Sequence, residues 1–122
     1  MIDEPREIES GETINEWISS VYKDNLLDIG TGLGGIVSDG SIGFQLSGEA
    51  LVDFIRRSLH FIIGYGGRIV KSGSEGWEPD DSFGTTPNEV VENVIRAWQA
   101  AGEPDPEWGE WWFVLPKDFR NR

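Results

Sequence analysis

The sequence predicts a single α+β domain in which three helices pack on one side of a small, mainly antiparallel sheet. Two observations predict this class. Three segments carry apolar residues at helical spacing, and several short runs rich in β-branched and aromatic residues are bounded by Gly or Pro. The 122 residues are the size of one domain, and six Trp and six Phe can supply its core. We expect residues 1–122 to form that domain, with 1–10 and 117–122 loose.

The predicted helices span residues 13–23, 47–64 and 86–102. The first and the third open with Thr followed three residues later by Glu, which is the pattern of a capping box. The third also has Pro at its first helical position and closes at Gly102. The second helix has the longest apolar stripe, so we expect it to form the centre of the core.

The predicted strands are residues 26–29, 35–37, 42–46, 67–71 and 111–115. Glycine is dense from residue 30 to residue 43, and a helix loses about 1 kcal/mol for each Gly relative to Ala. Short strands are therefore favoured there, with a hairpin turn at Asp39-Gly40. Trp111 and Trp112 are expected to face opposite sides of the last strand, because side chains alternate along a strand.

Composition narrows the class of partner. The net charge is −12, from 22 acidic and 10 basic residues, so the chain is expected to repel phosphate backbones and anionic membranes and to attract basic proteins. We predict neither nucleic-acid binding nor membrane binding. The absence of Cys, of a signal-peptide pattern and of an apolar run of about 20 residues favours a cytoplasmic protein. The oligomeric state stays open.

One glycine-rich motif has a counterpart among enzymes. Residues 26–34, Leu-Leu-Asp-Ile-Gly-Thr-Gly-Leu-Gly, resemble the first motif of the S-adenosylmethionine-dependent methyltransferases. The resemblance implies a strand, a glycine-rich turn and a helix whose N-terminus points at the cofactor. It implies that Asp28, Gly30, Gly32 and Gly34 line the cofactor site. A small methyltransferase-like enzyme is therefore an alternative function.

Carboxylates concentrate in two segments. The first acidic segment, residues 75–81, and the second acidic segment, residues 103–110, each contain four Asp or Glu residues. Paired carboxylates act as acid and base in hydrolases, so a carboxylate-based hydrolase is another alternative. However, neither segment has the spacing of an EF-hand calcium loop, and His60, the only histidine, lies on a charged helical stripe. We predict no catalytic residue, no cofactor and no metal site.

Aromatic residues lie among these carboxylates. Trp is frequent in interface hot spots, and carboxylates around it can steer a basic partner. The leading hypothesis is a protein-binding module, most concretely an immunity or antitoxin-like inhibitor that occludes a basic nuclease-type toxin domain. The predicted contact residues are Trp77, Glu78, Asp80, Asp81, Phe83, Glu107, Trp108 and Glu110. Alternatively, these aromatic rings fold back onto the core and do not contact a partner. A further alternative function is a structural or regulatory domain that forms a homo-oligomer through its Trp-rich last strand.

Overall fold

A computed structural model describes residues 5–74, 76–106 and 110–119. These residues form an α+β fold with four helices and a four-stranded antiparallel sheet, 57% helical and 16% strand, which confirms the predicted class. The helices are α1 (Ile14–Asp28), α2 (Leu33–Ser38), α3 (Gly48–Gly64) and α4 (Pro87–Ala100). The strands are β1 (Thr31–Gly32), β2 (Arg68–Gly73), β3 (Gly76–Pro79) and β4 (Trp112–Val114), in the spatial order β1-β4-β2-β3.

The two faces of the sheet carry different apolar clusters. Ile69 of β2 lies opposite Phe113 of β4, and both side chains belong to the main core together with the helices. The next pair, Val70 and Trp112, belongs to a second cluster with Val114. Because side chains alternate across a sheet, these pairs face opposite sides. The helices therefore pack on one side, and a smaller apolar cluster covers the other.

Helix α1 is longer than predicted. Its capping box is confirmed, with the side chain of Thr13 accepting from the backbone N–H of Glu16. The predicted end near residue 23 and the predicted strand 26–29 are wrong, because the helix continues to Asp28. The physical reason is that Leu26 extends the buried apolar line of this helix by one more turn and is fully buried.

The predicted hairpin of residues 35–37 and 42–46 is also wrong. Residues 33–38 form α2, and a π-helical turn, Asp39–Gly43, follows directly. A Cβ atom at Gly40 would lie 2.7 Å from both Leu51 Cδ1 and Phe54 Cδ2, so glycine lets this turn approach α3 closely. Tertiary packing on α3 therefore outweighs the low helix propensity of the glycines.

Two neighbouring glycines of α2 have opposite surroundings. A Cβ atom at Gly34 would lie 2.5 Å from the backbone oxygen of Pro106, whereas one at Gly35 would meet no atom within 4 Å. We expect Gly34→Ala to lower the free energy of unfolding by about 2 kcal/mol, because the backbone at Pro106 must move to make room for the added methyl group. We expect Gly35→Ala to raise it by about 0.5–1 kcal/mol, because Ala favours a helix.

Urea denaturation measures both changes, and the two variants control for each other because each adds one methyl group to the same helix. Equal effects of the same sign would contradict the packing of Pro106 against α2 described above.

The later part of the chain follows the predictions more closely. Helices α3 and α4 and strands β2 and β4 lie at the predicted places, and the Thr86–Glu89 capping box is present. Between β2 and α4, where no element is predicted, the chain forms β3 and a 3₁₀ turn, Asp81–Phe83. Within the described ranges, no helix combines the length and apolar character needed to cross a bilayer.

Candidate protein-binding face

The two acidic segments approach each other on either side of β2. The first acidic segment includes β3, the second precedes β4, and β2 lies between these two strands. The backbone N–H of Asp80 donates to the carbonyl of Ile69 in β2, at 3.0 Å. Asp80 and Glu110 then line one cavity of about 380 Å³. The structure thus brings together carboxylates that are far apart in sequence.

The cavity has aromatic and cationic walls besides its carboxylates. Phe83 and Trp111 line it, and both rings are half-buried against the main core. Lys71 of β2 also lines it. We call Glu78, Asp80, Asp81 and Glu110 the acidic face.

Local hydrogen bonds fix the orientation of Asp80. Its Oδ1 accepts from the backbone N–H of Ser82 at 3.0 Å and from the Ser82 hydroxyl at 2.6 Å. The next residue, Asp81, is exposed and lies 3.9 Å from the guanidinium of Arg68. An ion pair at this distance between exposed groups contributes little to stability, so Asp81 can exchange Arg68 for a partner at small cost.

A second cavity lies on the other side of these aspartates. It measures about 390 Å³ and is lined by Asp80, Asp81, Arg68 and the residues that open α4. The remaining carboxylate of the acidic face, Glu78, lies across from Lys71 in the register of β2 and β3. Among the described residues, the two cavities and the facing Lys71–Glu78 pair together carry four carboxylates and two cations, which gives a negative net charge.

The predicted aromatic contacts fold back onto the protein. The indole of Trp77 stacks on that of Trp112 on the outer side of the sheet, with ring centroids 6.2 Å apart and planes 16° apart. Phe83 is half-buried, and its carbonyl accepts from Nδ2 of Asn93 at 2.8 Å. Phe83 forms part of the wall of the cavity that Asp80 and Glu110 line, whereas Trp77 packs on the opposite side of the sheet, and neither ring is a projecting anchor. Trp111 and Trp112 pack on opposite sides of the sheet, as their alternation predicts.

Part of the second acidic segment is held by α4. The indole N–H of Trp98 donates to the carbonyl of Pro104 at 2.8 Å, and the backbone N–H of Glu103 donates to the carbonyl of Trp98 at 3.0 Å. The predicted contacts Glu107 and Trp108 lie outside the described residues.

Sequence reasoning missed a partly buried polar pair at the π-helical turn. The hydroxyl of Tyr22 in α1 donates to the Asp39 carboxylate at 3.0 Å. The pKa of Asp39 is raised to about 6, mainly by burial; the hydrogen bond from Tyr22 lowers it, and the carboxylate of Glu7 raises it. Burial also raises the pKa of Tyr22 well above its usual value. No sequence signal marked Asp39, because its Asp-Gly pair was interpreted as a hairpin turn.

The residues implied by the methyltransferase resemblance do not adopt its local structure. Asp28 belongs to the last turn of α1, where the resemblance requires a strand. Cβ atoms at Gly30 and Gly32 would collide with the Trp112 indole, and one at Gly34 would collide with Pro106. Contacts within the chain therefore account for these three glycines.

No family model matches this chain, and neither a curated protein nor a solved structure matches it.

Proposed function

We propose that this protein is a binding module that presents its acidic face to a basic protein partner. The observation that carries the proposal is that Asp80 and Glu110, from separate acidic segments, line one cavity with Phe83 and Trp111. The most concrete form is an immunity or antitoxin-like inhibitor that occludes the electropositive active site of a nuclease-type toxin. A carboxylate surface can occupy a site built to hold phosphates.

The geometry favours a specific partner over any polycation. The hydrogen bonds from Ser82 hold Asp80 in one orientation, which reduces the entropy lost on binding. Lys71 and Arg68 lie among the carboxylates and would repel a uniformly cationic surface. The expected partner therefore carries cations spaced to meet Asp80 and Glu110 and apolar atoms that reach Phe83.

Charge reversal tests the proposal. The triple variant D80K/D81K/E110K is expected to weaken the affinity for the basic partner about tenfold or more, because like charges then meet at the contact. The partner is first captured by the wild-type protein from a lysate of the organism that encodes it. The dissociation constants of the purified complexes are then compared by calorimetry.

The matched control is E9K/E12K/E49K, which changes the net charge by the same amount; none of these three residues lines either cavity of the acidic face. We expect this control to retain the wild-type affinity within about threefold, the size of a long-range effect on solvent-screened charges. If both triple variants bound equally well, or lost the same affinity, the acidic face would not be the binding site.

A further inference from the structure

A separate depression lies at the C-terminal end of α1. This cleft, the glycine cleft, has a volume of about 500 Å³. The end of α1, β1, the start of α2 and Trp112 line it on different sides. Its lining residues include Asn25, Asp28, Ile29, Gly35, Pro106 and Trp112. No described residue of the acidic face lines this cleft.

The carboxylates at the end of α1, beside the glycine cleft, destabilise this helix. Asp24 and Asp28 are exposed, lie one turn apart, and occupy the end of α1, whose last turn contains no basic residue. Like charges at this spacing repel each other, and the C-terminal end of a helix already carries partial negative charge. A cation bound here would relieve both effects.

The cleft also has an apolar side. Ile29 lines it and is 57% exposed, and Leu27 beside it is 51% exposed. Next to Ile29, the indole N–H of Trp112 donates to the Ile29 carbonyl at 3.3 Å, and because Trp112 is only 6% exposed, just the edge of its ring reaches the cleft. The cleft therefore places exposed aliphatic surface next to negative charge.

Among the glycines that line the cleft, one has free space in front of its Cα atom. Side chains or backbone from elsewhere in the chain occupy the space in front of Gly30, Gly32 and Gly34. In front of Gly35, by contrast, nothing lies within 4 Å. A side chain at this position would therefore extend into the cleft without displacing the fold.

We propose that the glycine cleft is a docking site for a basic protein segment, whose Arg or Lys side chain it accepts. The aliphatic stem lies along the exposed side chain of Ile29, and the cationic head lies beside Asp28 and the final carbonyls of α1. Such side chains combine an apolar stem with a charged end, which matches the two sides of the cleft. The inference rests on the proposed function only in taking the partner to be basic.

A peptide titration followed by ¹⁵N–¹H NMR of the full chain tests the proposal. The probe is the acetylated and amidated peptide Gly-Leu-Arg-Leu-Gly, and the control peptide has Gln in place of Arg. We expect half-saturation at about 1 mM, as is typical of a single charge-assisted contact with a few apolar contacts. The amide signals of Gly30, Gly32 and Gly35 are expected to shift, and the Gln peptide is expected to bind about fivefold more weakly.

Two pairs of variants locate the site. Gly35→Leu fills the cleft and is expected to abolish the shifts, whereas Gly64→Leu, at another helical glycine with open space around it, is expected to leave them unchanged. Asp28→Asn is expected to weaken peptide binding about threefold to fivefold, and the exposed Asp53→Asn is expected to have no effect.

The absence of shifts at the cleft glycines at about 10 mM peptide would overturn the proposal. Unchanged binding by Gly35→Leu would do the same. The variant D80K/D81K/E110K keeps every described residue of the cleft, so we expect it to bind the peptide as the wild type does. Peptide binding by that variant would support the cleft even if the acidic face proved wrong, and loss of binding would assign the peptide to the acidic face.

Discussion

Replacing Trp98 by alanine is expected to lower the free energy of unfolding by about 4 kcal/mol. Trp98 is 1% exposed and belongs to the main core, so the change removes a large buried side chain and leaves a cavity. It also removes the donor that the indole offers to the carbonyl of Pro104. Urea denaturation followed by fluorescence measures the change, with circular dichroism as a second probe because the variant loses a fluorophore.

The variant Trp98→Phe separates packing from the hydrogen bond. Phenylalanine fills much of the same space but has no N–H, so the carbonyl of Pro104 loses its donor. We expect a smaller loss, about 2 kcal/mol, from the lost hydrogen bond and reduced volume. A loss below about 1 kcal/mol in Trp98→Ala would contradict the position of α4 against the core.

The second large effect is expected at Asp39. The variant Asp39→Asn should be about 2 kcal/mol more stable than the wild type near pH 7.5 and about equally stable near pH 4. The pKa of Asp39 rises from 3.8 to about 6 in the folded protein, mainly through burial. The folded state therefore binds the proton more tightly, and its stabilising contribution, complete below pH 3.8, is lost as the pH rises through about 6. The expected difference is smaller than the full linkage value because solvent screens a partly exposed carboxylate.

Asparagine keeps an oxygen that can accept the hydrogen bond from Tyr22, so the variant removes the charge and preserves the contact. Thermal and urea unfolding at several pH values measure the difference between the variant and the wild type. Other carboxylates with lowered pKa values, such as Glu92 beside Arg56, are common to both proteins and cancel. The control Asp24→Asn removes an exposed charge, and we expect a change within about 0.5 kcal/mol. A difference at Asp39 that did not vary with pH would contradict its burial.

Local signals predicted the helices that have complete caps. The Thr13 and Thr86 boxes rest on hydrogen bonds between residues three apart, so their geometry is encoded within one turn of sequence. Helix α3 was predictable because its apolar stripe runs over the whole segment. One ion pair could not be predicted in this way, because it joins two helices: Glu92 of α4 binds Arg56 of α3 at 2.7 Å.

The glycine-rich region could not be predicted, because its conformation depends on contacts with distant residues. Gly32 accommodates the Trp112 indole, Gly34 accommodates Pro106, and Gly40 accommodates α3. Glycine density by itself favours turns and short strands, which led to the wrong hairpin. The local sequence does not distinguish a glycine that allows close packing from a glycine that allows a tight turn.

The acidic face was predictable as a set of residues but not as a surface. Asp80 and Glu110 share a cavity only because β4 pairs with β2 on the side opposite β3. Strand order of this kind is a long-range property that the composition of each segment does not encode. The same pairing brings Lys71 between the two carboxylates, which the net charge of the chain did not indicate.

The salt dependence of partner affinity tests the central claim most directly. Once the partner is captured, its dissociation constant is measured for the wild type and for D80K/D81K/E110K between about 50 and 500 mM NaCl. If the acidic face makes the contact, the wild-type affinity falls steeply with salt, and the variant shows a much flatter or inverted dependence. Parallel salt curves for the two proteins would show that the partner binds elsewhere.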